Sequence, residues 1–280
     1  MPDGKIDRIE WACLSGHRPR HAGPNARLGT HGKRVRPAIA RVTMDDGATG
    51  FGWSRITKEA ALSLLGRTLN AAFDGASGVA PGYRAIEYPI WDLVAKRAGQ
   101  PVFAMLGGNP KGGFFAVPCY DTSLYMDDVH LADDEAAAEL LAAEALEGCA
   151  RGQRAFKLKV GDENDASRLR TIKNFMGNNV SVYADANGAW SEAEAPAKIE
   201  ALAGLGIWGI EEPLHIPMPT GEADDDQQLD RDGSMQLAHF ERYAKLRSKI
   251  SIPLILDESL ISPRSYGRIV ETGAADILNI

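Results

Sequence analysis

From about residue 115 the chain alternates short apolar runs with helical stretches, and this alternation limits its possible folds more than any other feature. The strand candidates are FFAVPCY (114–120), AFKLKV (155–160), VSVYADA (180–186), GIWGIEEP (206–213), IPLILDE (252–258) and ADILNI (275–280). Helical stretches lie between most of them, at 133–150, 164–176, 191–204 and 235–248. Regular βα alternation implies a parallel sheet, because a parallel strand is reached only by a crossover long enough to hold a helix. Polar residues collect at the C-terminal ends of the runs, the face where (β/α)8 barrels carry their sites. The expected fold class is therefore α/β, with a (β/α)8-type (TIM-like) barrel. The roughly 165 residues from 115 onward suit six βα units of about 30 residues, not eight. The expectation is a barrel truncated after strand six.

The first third reads differently. KIDRIEWACLSG (5–16) and RPAIARVTMDDGATGFGWS (36–54) alternate like strands, the second with a turn at Asp46–Gly47. Between them HRPRHAGPNARLGTHGK (17–33) is rich in Gly, Pro, His and Arg, has no period, and reads as a long loop. Helices are expected near 57–74 and 84–98. The second places Ile86, Ile90, Leu93 and Val94 on one face and stops at Gly99. This gives two domains: an α+β unit over 1–114 with a long loop of the kind that is often functional, and a barrel over 115–280. The acidic run 221–233 reads as a surface loop. It lacks the glycine and terminal glutamate of a calcium loop.

Composition excludes some classes. A net charge of −7 leaves no basic excess for a nucleic-acid partner. Cys13, Cys119 and Cys149 are far apart and odd in number, which argues against a disulfide framework or a metal knuckle. No apolar run approaches the length of a membrane span. The expectation is a cytoplasmic protein without membrane contact; barrels of this sort often associate, so a homo-oligomer is expected.

The chemistry lies at the strand ends. In AFKLKV, Lys157 and Lys159 share one face of an otherwise apolar strand. Two neighbouring cations are costly to bury without anions. The following strands offer those anions: Asp185 with Asn187 on its face, then Glu211–Glu212, then Asp257–Glu258, where alternation sends one member of each pair inward. Taken singly, a Lys-x-Lys is usually a solvated edge strand and Asp-Glu-Ser a helix cap. The ordered set is hard to obtain from surface patterning. Three carboxylates from three successive strands suit Mg²⁺, and the absence of Cys and His at these ends disfavours zinc.

The ordered motifs KLK, YADANGAW, GIEEPL and LDES resemble the mandelate racemase/muconate lactonizing enzyme branch of the enolase superfamily. The helix IEYPIWDLVAKRAGQPVFAMLGG is similar to the stretch where that family's cap hands over to its barrel. The resemblance implies Asp185, Glu211 and Asp257 (rather than Glu258) as Mg²⁺ ligands. It implies Lys159 as the acid/base, and Lys157 as the neighbour that lowers that lysine's pKa and holds the substrate carboxylate. Asn187, Glu212 and Glu258 would support these groups. Arg18, Arg20, His21 and Arg27 would reach an anionic substrate from the loop. The implied activity is abstraction of the proton α to a carboxylate of a small acid, an isomerase or lyase reaction ending in racemisation or epimerisation, cycloisomerisation or loss of water. Removing such a proton creates a dianion, which a divalent cation on the carboxylate oxygens stabilises. Enolase-superfamily sites with a Lys or His base and Mg²⁺ are an established pattern. The family's second acid/base falls beyond ADILNI. The alternatives are a metal-binding relative without turnover and a Schiff-base aldolase using Lys159, which would leave the carboxylates without a task.

Overall fold

The computed structural model describes residues 4–25, 29–109, 117–125, 134–177, 180–215, 233–260 and 263–279. Contacts divide the chain into two units, Met1–Pro19 with Lys33–Val117 and Arg20–Gly32 with Pro118–Ile280. The expected boundary at 114/115 lies outside the described residues.

In the first unit the alternating segments form β1 (Ile6–Cys13), β4 (Ala38–Met44) and β5 (Thr49–Trp53), an antiparallel sheet in the order β1-β4-β5. The segment 17–33 is not the irregular loop expected. It is a two-stranded sheet of β2 (Gly16–Asn25) and β3 (Gly29–Val35). Its prolines, glycines and histidines hid the period, since they leave no run of alternating apolar residues to read. The helical stretch 57–74 resolves into α1 (Lys58–Leu64) and α2 (Leu69–Ala72), and runs on into β6 (Phe73–Asp74), paired with β7 (Gly78–Val79). The next, α3 (Glu87–Ala98), buries Ile90, Leu93 and Val94 completely, with Ile86 just before it. It ends on left-handed Gly99, whose N–H caps Ala95 and Lys96 carbonyls. Its close seat on β5 depends on glycine: a Cβ at Gly50 would stand 1.9 Å from the Pro89 carbonyl oxygen.

After the short α4 (Val102–Met105), the second unit runs β8 (Asp121–Leu124), α5 (Asp134–Ala150), β9 (Ala155–Lys159), α6 (Asp165–Met176), β10 (Ser181–Asp185), α7 (Ala195–Ala203), β11 (Ile210–Glu211), α8 (Gly233–Arg247), β12 (Leu254–Leu256), α9 (Pro263–Thr272) and β13 (Ile277–Leu278). The six strands form one sheet in sequence order, and every described pairing in it is parallel. This is the βα succession of a (β/α)8-type barrel. The first strand begins later than FFAVPCY suggested; residues 117–120 are irregular and 110–116 lie outside the described residues, as does 216–232, which holds nearly all of the acidic run. Phe156, Leu158, Val182, Ala184, Ile210, Leu254 and Leu256 form a core with Leu141, Leu169, Ile172, Ile199 and Tyr243 of the helices. No helix among the described residues is long and apolar enough to cross a membrane.

Candidate active site

With Phe156 and Leu158 spent on the helical core, Lys157 and Lys159 take the opposite face of β9. Parallel register then aligns Lys159 with Asp185 on β10, and Asp185 with Glu211 on β11. Residues in register share a face, so three charged side chains form one row across three strands. Asp185 and Glu211 are fully buried, and the lysines nearly so.

Lys159 Nζ donates to Asp185 Oδ2 at 2.5 Å and to Asn187 Oδ1 at 2.8 Å. Lys157 Nζ donates to Glu211 Oε1 at 2.5 Å and lies 2.9 Å from Asp185 Oδ2. Burial works against the Lys157 ammonium, but Asp185 and Glu211 outweigh it and hold its pKa above the ordinary lysine range. Burial likewise raises Asp185, yet Lys159 and Lys157 pull it below the usual carboxylate range. Glu211 is pushed up to about 8, first by burial and then by the charge of Asp185. Lys157 is divided between two carboxylates, so Glu211 is left short of positive charge.

Carboxylate oxygens of Glu211, Asp257 and Glu258 lie within 4.8 Å of one another. Both members of the Asp257–Glu258 pair therefore join the cluster, not one as alternation implied. The reason is local: β12 ends at Leu256 and the two acids sit in the bend after it, where strand alternation no longer applies. Asn187 ties the halves together. Its Nδ2 donates to Glu258 Oε1 at 2.7 Å while its Oδ1 accepts from Lys159. The Oε2 atoms of Glu211 and Glu258 are buried with no hydrogen-bond partner among the described residues. Four carboxylates outnumber the two lysines. Orphaned hard oxygens and that excess of carboxylates fit a divalent cation with oxygen ligands.

Of the remaining expected residues, Glu212 turns away from the cluster. Arg18 groups with the first unit and donates to the Arg34 carbonyl at 3.3 Å; His21 groups with the barrel. Arg27 and the side chain of Arg20 lie outside the described residues. Two aromatic residues that the sequence did not mark stand at the site instead. The Tyr125 ring centroid lies 5.3 Å from Lys159 Nζ, and His31 meets Tyr125 edge-on at 5.7 Å. The only sequence signal for them was the place of Tyr125 just after a strand, β8, and of His31 in the His-rich ribbon.

Residues 140–224 match the family described as enolase C-terminal domain-like. The chain is 34% identical to a mandelate racemase/muconate lactonizing protein from a Geobacillus species, solved with magnesium and tartrate, covering 99% of this chain and 71% of that one at a TM-score of 0.76. The chain belongs to the mandelate racemase/muconate lactonizing branch of the enolase superfamily. A galacturonate dehydratase from a Geobacillus species, solved with D-galacturonate and 5-keto-4-deoxy-D-galacturonate, is a similar match: 33% identity, 100% of this chain, 72% of that one, TM-score 0.75. Among curated enzymes, the N-succinyl-L-Arg/Lys racemase of Bacillus cereus is 28% identical over 256 residues, 84% of this chain but 58% of that enzyme. The chain thus spans little more than half the length of that relative. In this enolase-superfamily chain the acid-ended strands and the lysine strand are consecutive in the sheet, β9 to β12, so one local neighbourhood carries the whole described cluster.

Proposed function

We propose that the protein is a magnesium-dependent isomerase or lyase that removes the proton α to the carboxylate of a small acid. The row Lys159–Asp185–Glu211, backed by Asp257 and Glu258, carries the reading. Asp185, Glu211 and Asp257 would hold the ion, with Glu258 near enough to share it. Bound there, Mg²⁺ supplies positive charge beside the substrate carboxylate as negative charge develops. As the free amine, Lys159 Nζ takes the α-hydrogen as a proton and becomes the ammonium, and Lys157 keeps a second cation beside the carboxylate oxygens. Asn187 orients Lys159 through its Oδ1, and Tyr125 offers its ring face to the ammonium. We assign this chemistry to the barrel, residues 115–280; of the ribbon within 1–114, residues 20–32 group with the barrel and would take part in substrate selection.

A polyhydroxy carboxylate is our preferred substrate, with loss of water as the outcome. Tyr125 brings a phenol beside Lys159, a group suited to a substrate hydroxyl. The solved relatives at 33–34% identity hold galacturonate and tartrate. A Schiff-base route on Lys159 would give the clustered carboxylates of Glu211, Asp257 and Glu258 no task. The test is incubation in D₂O with Mg²⁺ and pools of sugar acids, α-hydroxy acids and N-acyl amino acids, with a chelator control. Metal-dependent gain of deuterium, or loss of water from a sugar acid, supports the reading. Exchange that survives chelation refutes it.

A further inference from the structure

Glu212 is fully buried, yet it contributes nothing to the carboxylate cluster. Its backbone has φ +39°, a region that side chains with a Cβ rarely adopt. Four donors converge on its carboxylate. Oε1 accepts the N–H of Asp257 at 2.9 Å and of Ser259 at 2.8 Å; Oε2 accepts the Tyr243 hydroxyl at 2.7 Å and the Ser259 hydroxyl at 3.0 Å. Asp257 and Ser259 flank Glu258. The two pinned amides therefore hold the backbone from which both Asp257 and Glu258 project, in a stretch where β12 has ended and strand pairing has stopped. One face of α8 backs the arrangement. Tyr243 is fully buried, and His239, one turn earlier, meets its ring edge-on at 4.8 Å and places Nε2 2.9 Å from Ser259 Oγ.

We propose that Glu212 is a positioning residue: it clamps the Asp257–Ser259 backbone and so presets two carboxylates of the cation site. The inference rests on the metal reading above. A buried carboxylate in a strained conformation is an expensive way to hold a fold together, and such strain persists where geometry has to be exact to a fraction of an ångström. The outer partners of metal ligands act in this manner, by fixing ligand orientation.

The test compares Glu212→Gln, Tyr243→Phe and Ser259→Ala with Leu202→Ala, a core truncation in α7 away from the cluster, chosen as the stability control. Two quantities are read: Mg²⁺ affinity by titration calorimetry, and amide hydrogen exchange of residues 255–260 without metal. Glu212→Gln weakens Mg²⁺ binding by about 10–100-fold and speeds exchange at Asp257 and Ser259. Tyr243→Phe and Ser259→Ala show the same pattern, smaller, and decide the matter if Glu212→Gln does not fold. Leu202→Ala lowers stability and moves neither readout. Unchanged affinity and exchange in the clamp variants overturn the proposal, as does an equal loss of affinity in Leu202→Ala. A wild-type protein that binds no Mg²⁺ refutes the metal reading instead, and the exchange measurement then decides the clamp alone.

Discussion

Replacing Lys159 by Met should separate chemistry from folding. Methionine retains most of the apolar stem and removes the ammonium. Asp185 loses one partner at 2.5 Å but keeps Lys157 at 2.9 Å and the Asn187 N–H at 2.9 Å. The loss amounts to two buried hydrogen bonds from the ammonium, to Asp185 and to Asn187, about 1.5–3 kcal/mol each, offset in part because Met carries no charge to desolvate. The catalytic loss is separate. A positioned general base contributes about 10²–10⁴-fold, equivalent to about 3–5 kcal/mol of barrier. The neighbouring Leu158→Ala is the mirror experiment. That side chain is 1% exposed and lies on the helical face, so its truncation costs about 2–5 kcal/mol of stability and leaves the lysine row in place. Urea denaturation and α-deuterium exchange, measured on both variants, should give opposite profiles: Lys159→Met folded and inert, Leu158→Ala destabilised and active. Exchange by Lys159→Met within about tenfold of wild type would fall outside the range for a general base and refute the assignment.

Three further outcomes follow from the same geometry. Glu258→Gln should weaken Mg²⁺ binding about as much as Asp257→Asn, by tenfold or so for each charge lost, read by calorimetry; an unchanged Glu258→Gln would return that residue to a supporting role. Gly50→Ala should destabilise the first unit by roughly 3 kcal/mol or more, as overpacking against a backbone that cannot give way, seen as early proteolysis of residues 33–109. Two buried groups should tilt stability against pH in opposite senses. His239 is lowered to about 4, chiefly by burial and then by Arg242, so it destabilises the fold as pH falls from about 6.5 toward 4. Asp165 is raised to about 6, chiefly by burial, so the stability it adds at low pH is lost as pH rises from about 4 through 6. Relative to wild type, His239→Gln should therefore lose stability, and Asp165→Asn gain it, as pH rises across that window, by up to about 3 kcal/mol each. Parallel denaturation curves for all three proteins would refute both.

Much of this architecture was legible before any coordinates. The burial of Ile86, Ile90, Leu93 and Val94 and the stop at Gly99 follow from helix periodicity and a left-handed cap. The split of Phe156 and Leu158 from Lys157 and Lys159 follows from strand alternation. Both periods are properties of the local backbone, so the residues alone reveal them. The ribbon at 16–35 escaped detection because neither of its strands carries the alternation that a buried face imposes. Glu258 escaped because alternation was extended two residues past the end of β12.

The sequence by itself determined the order of elements, the face that each strand presents and the identity of the charged groups that needed one another. Only the tertiary structure decided which of them meet. Asn187 reaches Glu258 across 71 positions of chain, and Glu212 finds Tyr243 across 31. Those meetings depend on strand register, on where a strand ends, and on which helix face backs it. These are set by packing between distant segments, and no local period records them.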